Sequence, residues 1–271
     1  MNSLQNSSAV LMFHAELEVE RSKASDHPTH YSTFLNSRPE QMEYDAIEKI
    51  IELQRSYPSL HCHIVHLSAS SALPLIRKAK KEGLNLTVET TFHYLCLSAD
   101  EIPDGKPQFK CCPPIRDKRN RDLLWKAVID GTIDMVVSDH SPCVASLKRL
   151  DDGNVMEAWG GISSLGFGLY LLWEEGLQRG LSVGRIVQLL SENPARLAGL
   201  QGHVGPKKGQ IAEGYNADFV IWDPNSDVPQ KVCSSILLIL PQTNGIFFHK
   251  IDRFRNDKIQ EQGHAVRGEN A

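Results

Sequence analysis

Along residues 9–140 the apolar and polar positions follow two alternating rhythms. Short aliphatic runs each end abruptly in a polar side chain, and amphipathic stretches lie between them. The runs are Ala9-Val10-Leu11-Met12-Phe13, ending at His14; residues 60–65, ending at His66; residues 84–90, with His93 just beyond; and Ile133-Asp134-Met135-Val136-Val137-Ser138, ending at Asp139. Their length and bounding turn residues predict buried strands. Between them, Met42, Ala46, Ile47, Ile50, Ile51 and Leu53 recur on one face of a helix over 40–55 that opens at Pro39. A second helix runs from Ser70 or Ser71 to Lys81 and is stopped by Gly83, and a third covers 120–129. Strands alternating with helices imply an α/β fold with a parallel sheet, whose carboxyl ends collect at one rim.

The rest of the chain is less regular. Residues 17–37 read as polar, with 26–30 as a loop, and 98–119 as a long loop rich in Pro and Gly. Helices are predicted over 164–178, 182–190 and 194–200. Residues 208–223 alternate like a strand pair joined by a Gly turn, and the tail from Arg253 is charged and poor in apolar residues.

Composition narrows the function classes. With 41% hydrophobic and 23% charged residues, the chain can bury a sizeable core. A net charge of -4, with both signs interspersed, offers no basic stripe for nucleic acid and no polybasic segment for a membrane surface. No run approaches the roughly 18 apolar residues of a membrane span. Residues 1–8 make a poor signal peptide. None of the six cysteines stands in a Cys-x-x-Cys pair, which suggests free thiols in a reducing compartment. The expected location is intracellular, in the cytoplasm first, with mitochondrion or peroxisome as alternatives.

His14, His66, His93 and Asp139 share the predicted rim. Imidazole and carboxylate together suit zinc and similar divalent ions. Such an ion lowers the pKa of bound water to about 7 and polarises a carbonyl, as amide hydrolysis requires. Asp139 would then take the proton from that water and pass it to the leaving nitrogen. The plainer readings are an Asp that caps the following loop and histidines that merely end strands. His93 reads as a group that supports a ligand or contacts substrate. Strand alternation sets His61 and His63 on the face opposite His66, at the surface or toward the helices. Cys111, Cys112 and Cys143 lack partner spacing for metal binding, and a cysteine nucleophile has no assigned base.

Phe13-His14-Ala15-Glu16, Val65-His66-Leu67-Ser68, Glu89-Thr90-Thr91-Phe92-His93-Tyr94, residues 110–117, Val137-Ser138-Asp139-His140-Ser141-Pro142-Cys143 and Trp159-Gly160-Gly161-Ile162 together resemble the successive motifs of the allantoinases, which are cyclic amidohydrolases. The resemblance spans residues 9–228. It implies a (β/α)8 TIM barrel with a small β-sandwich, a homotetramer, two zinc ions, and opening of the hydantoin ring of allantoin, a cyclic ureide, to allantoate in purine (urate) catabolism. Carried over, His14 and His66 are ligands of one metal, and Asp139 is a ligand of the other and the general acid/base. Cys112, Pro113, His140, Ser141 and Pro142 line the substrate pocket, with His93 near it.

The departures are specific. The family's His-x-His pair on the first barrel strand and its carboxylated lysine on the fourth have no counterpart here, and His14 corresponds to the fifth strand. The expectation is therefore the second half of the barrel over 1–200, a sandwich remnant over 201–228 and a divergent tail over 229–271. Two open sheet edges would favour association. The dinuclear centre would not assemble from this chain alone, as in a truncated or spliced product inactive by itself. The alternatives are a non-catalytic interaction module, or a hydrolase of hydantoins or dihydropyrimidines.

Overall fold

A computed structural model describes residues 1–4, 7–19, 27–202, 205 and 207–222. Four strands, β1 (Val10–Phe13), β2 (His61–Ile64), β3 (Leu86–Thr91) and β4 (Met135–Val137), form one parallel sheet in sequence order. Helices α1 (Tyr31–Ser37) and α2 (Gln41–Arg55) connect β1 to β2, α3 (Leu73–Lys81) connects β2 to β3, and α4 (Phe92–Cys96) with α5 (Lys118–Ile129) leads to β4. Beyond β4 lie α6 (Gly168–Leu177), α7 (Val183–Val187) and α8 (Asn193–Leu197). Parallel strands ordered as in sequence, each followed by a helical crossover, are the repeating unit of a (β/α) barrel; four units make half of one.

The register explains the two faces of the sheet. Cys62 stands beside Leu11 and Leu86, and Ile64 beside Phe13 and Val88. Cys62, Ile64, Leu86 and Val88 pack with Ile47, Ile50, Ile76 and Ala79 of the helices in one apolar core. The next positions along the strands, His61, His63, Thr87 and Glu89, therefore point to the other face. That face is polar, and at its β1 margin Met12 is 58% exposed. His63 departs from expectation here: it is buried, and it lies on the side away from the helices.

Local signals account for most of the helices. Asp117 caps α5 by accepting from Asn120 N at 2.7 Å, and Thr91 caps α4. In α2 the apolar stripe closes on Gln54, fully buried, whereas Leu53 is 42% exposed. The Gln54 amide donates to Leu60 O at 3.0 Å and to Asn85 O at 2.8 Å, so a polar side chain takes the core position by satisfying two backbone carbonyls. Helix α1 falls in a stretch read only as polar, for which no helix is predicted. Only Tyr31, Thr33 and Phe34 of it are buried, so its stability comes from tertiary contact rather than from a periodic stripe.

The predicted strand pair at 208–223 is not found: residues 207–222 contain no strand. Ile221 is 95% exposed there, and an isolated hairpin without a further strand or a covering helix is marginal. Residues 229–271, including Cys233 and the predicted divergent tail, lie outside the described residues.

Candidate functional site

The rim carries its chemistry on unusual backbone. Ala15, which follows His14, has φ 55°, His66 has φ 41° and Asp139 has φ 45°. Non-glycine residues in the left-handed region cost about 1–3 kcal/mol each and persist where function demands a particular side-chain direction. Here the chain turns in this way after β1, β2 and β4, at His66 and Asp139 themselves and, after β1, at Ala15 next to His14.

His14 Nδ1 and His66 Nε2 face each other at 3.1 Å. On its other side His14 Nε2 donates to Glu16 Oε2 at 2.6 Å, which leaves Nδ1 as the nitrogen turned toward His66. Burial pushes the Glu16 carboxyl up, but the hydrogen bonds from His14 and Arg38 and the guanidinium charge outweigh it and hold it near 2. Burial, reinforced by His14, lowers His66 to about 4. His93 is fully buried, its ring edge-on to Tyr94 at 4.5 Å, and burial with the nearby His66 lowers it to about 3. Neither ring nitrogen of His93 has a hydrogen-bond partner among the described residues. Burial raises Asp139 to about 6; the negative charge of Glu89 adds to this and His14 opposes it.

Sequence reading missed Glu16, Arg38 and Glu89. Glu16 lies two residues beyond His14, and that spacing could have found it. Arg38 reaches Glu16 from the end of α1, Nε to Oε1 at 3.1 Å, and no local pattern shows this. Glu89 pairs with His63 at 3.2 Å, and the Thr87 hydroxyl lies 2.8 Å from both His61 Nε2 and His63 Nδ1. The His-x-His string thus belongs to a polar row on the inner face of the sheet.

The expected substrate wall is knit together largely by backbone. The Tyr94 hydroxyl donates to Pro113 O at 2.6 Å and Ser68 Oγ to Pro114 O at 2.6 Å, which pins the Cys112 loop. Pro113 is itself buried with its carbonyl engaged, whereas Pro142 is exposed. His140 Nδ1 accepts from Ser164 N and Leu165 N, both at 3.1 Å, and Ser141 N donates to Ile162 O at 3.0 Å. A Cβ on Gly160 would stand 2.8 Å from Cys112 Sγ, and one on Gly161 2.5 Å from Ser141 O. Glycine at these positions lets Cys112 and Ser141 meet across one strip of backbone.

Two nitrogens bound to one tetrahedral zinc at about 2.0–2.1 Å stand about 3.3 Å apart. The His14–His66 pair has nearly that separation. Among the described residues, however, no group of three or more His, Cys, Asp or Glu side chains could hold an ion. Two donors do not complete a zinc shell.

Comparison with known proteins agrees with the geometry. Residues 13–257 match the model of the amidohydrolase family, so the match runs past residue 228, where the sequence resemblance was read as ending. The chain is 53% identical over 201 residues to the mitochondrial allantoinase of Aquarana catesbeiana, covering 74% of this chain and 41% of that protein. It is 46% identical over 228 residues to the allantoinase of Saccharomyces cerevisiae, covering 82% and 48%. Among solved structures, the L-hydantoinase (dihydropyrimidinase) of Arthrobacter aurescens superimposes with a TM-score of 0.70 at 27% identity, over 78% of this chain and 47% of that one. The chain thus spans about half the length of the curated relatives it matches. Its parallel half-barrel, its rim of His14, His66 and Asp139 and its matched sequence place the chain in the amidohydrolase family.

Proposed function

We propose that this chain carries half of the site of an allantoinase-type hydrolase, which opens the hydantoin ring of allantoin by adding water across a ring amide. The observation that carries the reading is that His14 Nδ1 and His66 Nε2 face each other at 3.1 Å on the rim where Asp139 follows the end of β4. In ring opening, the water oxygen bonds to the amide carbonyl carbon, the carbon–nitrogen bond breaks, and the proton released by water ends on the departing nitrogen. Asp139 suits both transfers, because a carboxylate at this rim can accept the proton released by water and return it to the departing nitrogen. His14, oriented by Glu16 and Arg38, and His66 would supply two nitrogen ligands to a zinc ion, and the remaining ligands would have to come from outside the described residues. The wall formed by Cys112, His140 and Ser141 would hold the flat ureide ring. The location within the cell and the tetrameric state remain expectations carried by the resemblance.

The test joins the N-terminal half of a full-length allantoinase to this chain and assays ring opening of allantoin, hydantoin and dihydrouracil. Allantoin should be opened fastest, and Asp139→Asn should reduce the rate by about 100-fold or more. Faster opening of dihydrouracil would assign the chain to the hydantoinase-type reading. The 271 residues alone should bind less than one zinc per chain by elemental analysis and leave allantoin intact. Normal turnover by the isolated chain would overturn the claim that its ligand set is incomplete.

A further inference from the structure

One buried cation takes no part in the chemistry above. Lys148 is only 6% exposed, and its ammonium donates to Lys110 O at 3.1 Å, Trp159 O at 2.9 Å and Gly161 O at 2.5 Å. An ammonium has three protons, and three carbonyls take them all. These carbonyls come from two stretches. Lys110 leads into Cys111 and Cys112, while Trp159 and Gly161 flank Gly160. The same stretches are joined by Gly161 N donating to Lys110 O at 2.9 Å, and they are packed so closely that Cys112 Sγ and Ser141 O leave no room for a Cβ at Gly160 and Gly161. Three carbonyl oxygens turned toward one buried point repel one another and lose their water unless a cation sits among them.

The chain around Lys148 is bent to deliver it. Lys148 ends the turn Ala145–Lys148, and Arg149 follows in the left-handed region at φ 55°. The Arg149 guanidinium is held by Asp152 and by Glu157, the latter at 2.8 Å. Burial lowers the Lys148 ammonium to about 8, so it is largely charged at neutral pH.

We propose that Lys148 is a positioning residue whose ammonium clasps the Cys112 loop to the Gly160–Gly161 strip and so sets the spacing of Cys112 and Ser141, the two sides of the substrate wall. The bearing of this spacing on a cyclic ureide rests on the function proposed above; the clasp itself rests on the hydrogen bonds. Alkylation of the native 271-residue protein with iodoacetamide, followed by tandem mass spectrometry, tests the clasp without any turnover. Cys112 is half-buried and Cys111 beside it is buried, so Cys111 reports general unfolding. In Lys148→Ala, Cys112 should label about tenfold faster or more while Cys111 stays slow, as expected when charged hydrogen bonds of a local unit are lost. Methylammonium, which can refill the vacated site, should slow Cys112 again, whereas sodium at the same ionic strength should not. Unchanged Cys112 labelling in the variant overturns the proposal. So does a parallel rise of Cys111 and Cys112, or loss of the folded protein, because Lys148 would then be a general stabiliser. If the clasp stands while the fused protein fails on allantoin, the functional reading fails alone.

Discussion

Two histidines, His93 buried and His66 half-buried, make the stability of this chain fall in acid. His93 and His66 have folded pKa values of about 3 and about 4, below the ordinary value of 6.5. Above pH 6.5 both are neutral in either state and contribute no pH dependence. Below it the unfolded chain takes up protons that the folded chain refuses, so stability drops by up to about 1.4 kcal/mol per pH unit for each group, down to the folded pKa. Glu16 acts in the same direction over a lower window, because its stabilising ionisation is complete above 4.5 and is lost as pH falls toward 2. Urea unfolding at pH 7 and pH 5 separates the two windows. Asp139, raised to about 6, opposes the histidines between pH 5 and pH 7, so the difference in stability between those pH values should shrink by more than half in His93→Leu and stay unchanged in Glu16→Gln. An undiminished difference in His93→Leu would refute the assignment. Glu16→Gln should still lower stability at both pH values by about 2 kcal/mol, because the Arg38 guanidinium loses its carboxylate.

At the level of elements, the loop after β2 is tied to α5 by one side chain. Asn120 Oδ1 accepts from Ser70 N at 2.7 Å and Nδ2 donates to Ser68 O at 2.8 Å. Asn120→Ala would leave a buried donor and a buried acceptor unpaired, and should cost about 2–3 kcal/mol in urea unfolding. Asp117→Ala removes only the cap of the same helix and should cost about 1 kcal/mol. Equal losses would show that the cap, rather than the cross-link, dominates α5. The helix was legible in its sequence over 120–129; its cap at Asp117, ahead of that stretch, was not. The link from Asn120 to Ser68 and Ser70 spans about fifty residues and leaves no local trace. For the same reason Leu53 was misplaced: periodicity within α2 cannot report that Gln54 will meet the carbonyls of Leu60 and Asn85.

For the whole molecule the decisive feature is the sheet margin. Among the described residues β1 has a strand neighbour on one side only, and Met12 is exposed beside it. Beyond β4, His140 bridges to Ile162, which partly closes that side. An unpaired edge strand with apolar surface next to it is a template for another chain. The isolated protein should therefore elute with a mass above its 30.3 kDa monomer in size-exclusion chromatography with light scattering. A monomer at all concentrations would mean that the β1 edge is adequately protected.

The amino-acid order by itself determined the alternation of four strands with helices and the placing of His14, His66 and Asp139 at strand ends. Each of those signals is local: a buried segment shows its apolar period, and the polar residue that breaks it marks the rim. Only the tertiary structure decided that His14 and His66 meet at 3.1 Å, that Glu89 sits close enough to raise Asp139, that the His61-x-His63 pair turns inward, and that Lys148 closes the wall. Those relations depend on sheet register, on left-handed backbone at strand ends and on contacts between residues far apart in the chain, none of which has a period to read.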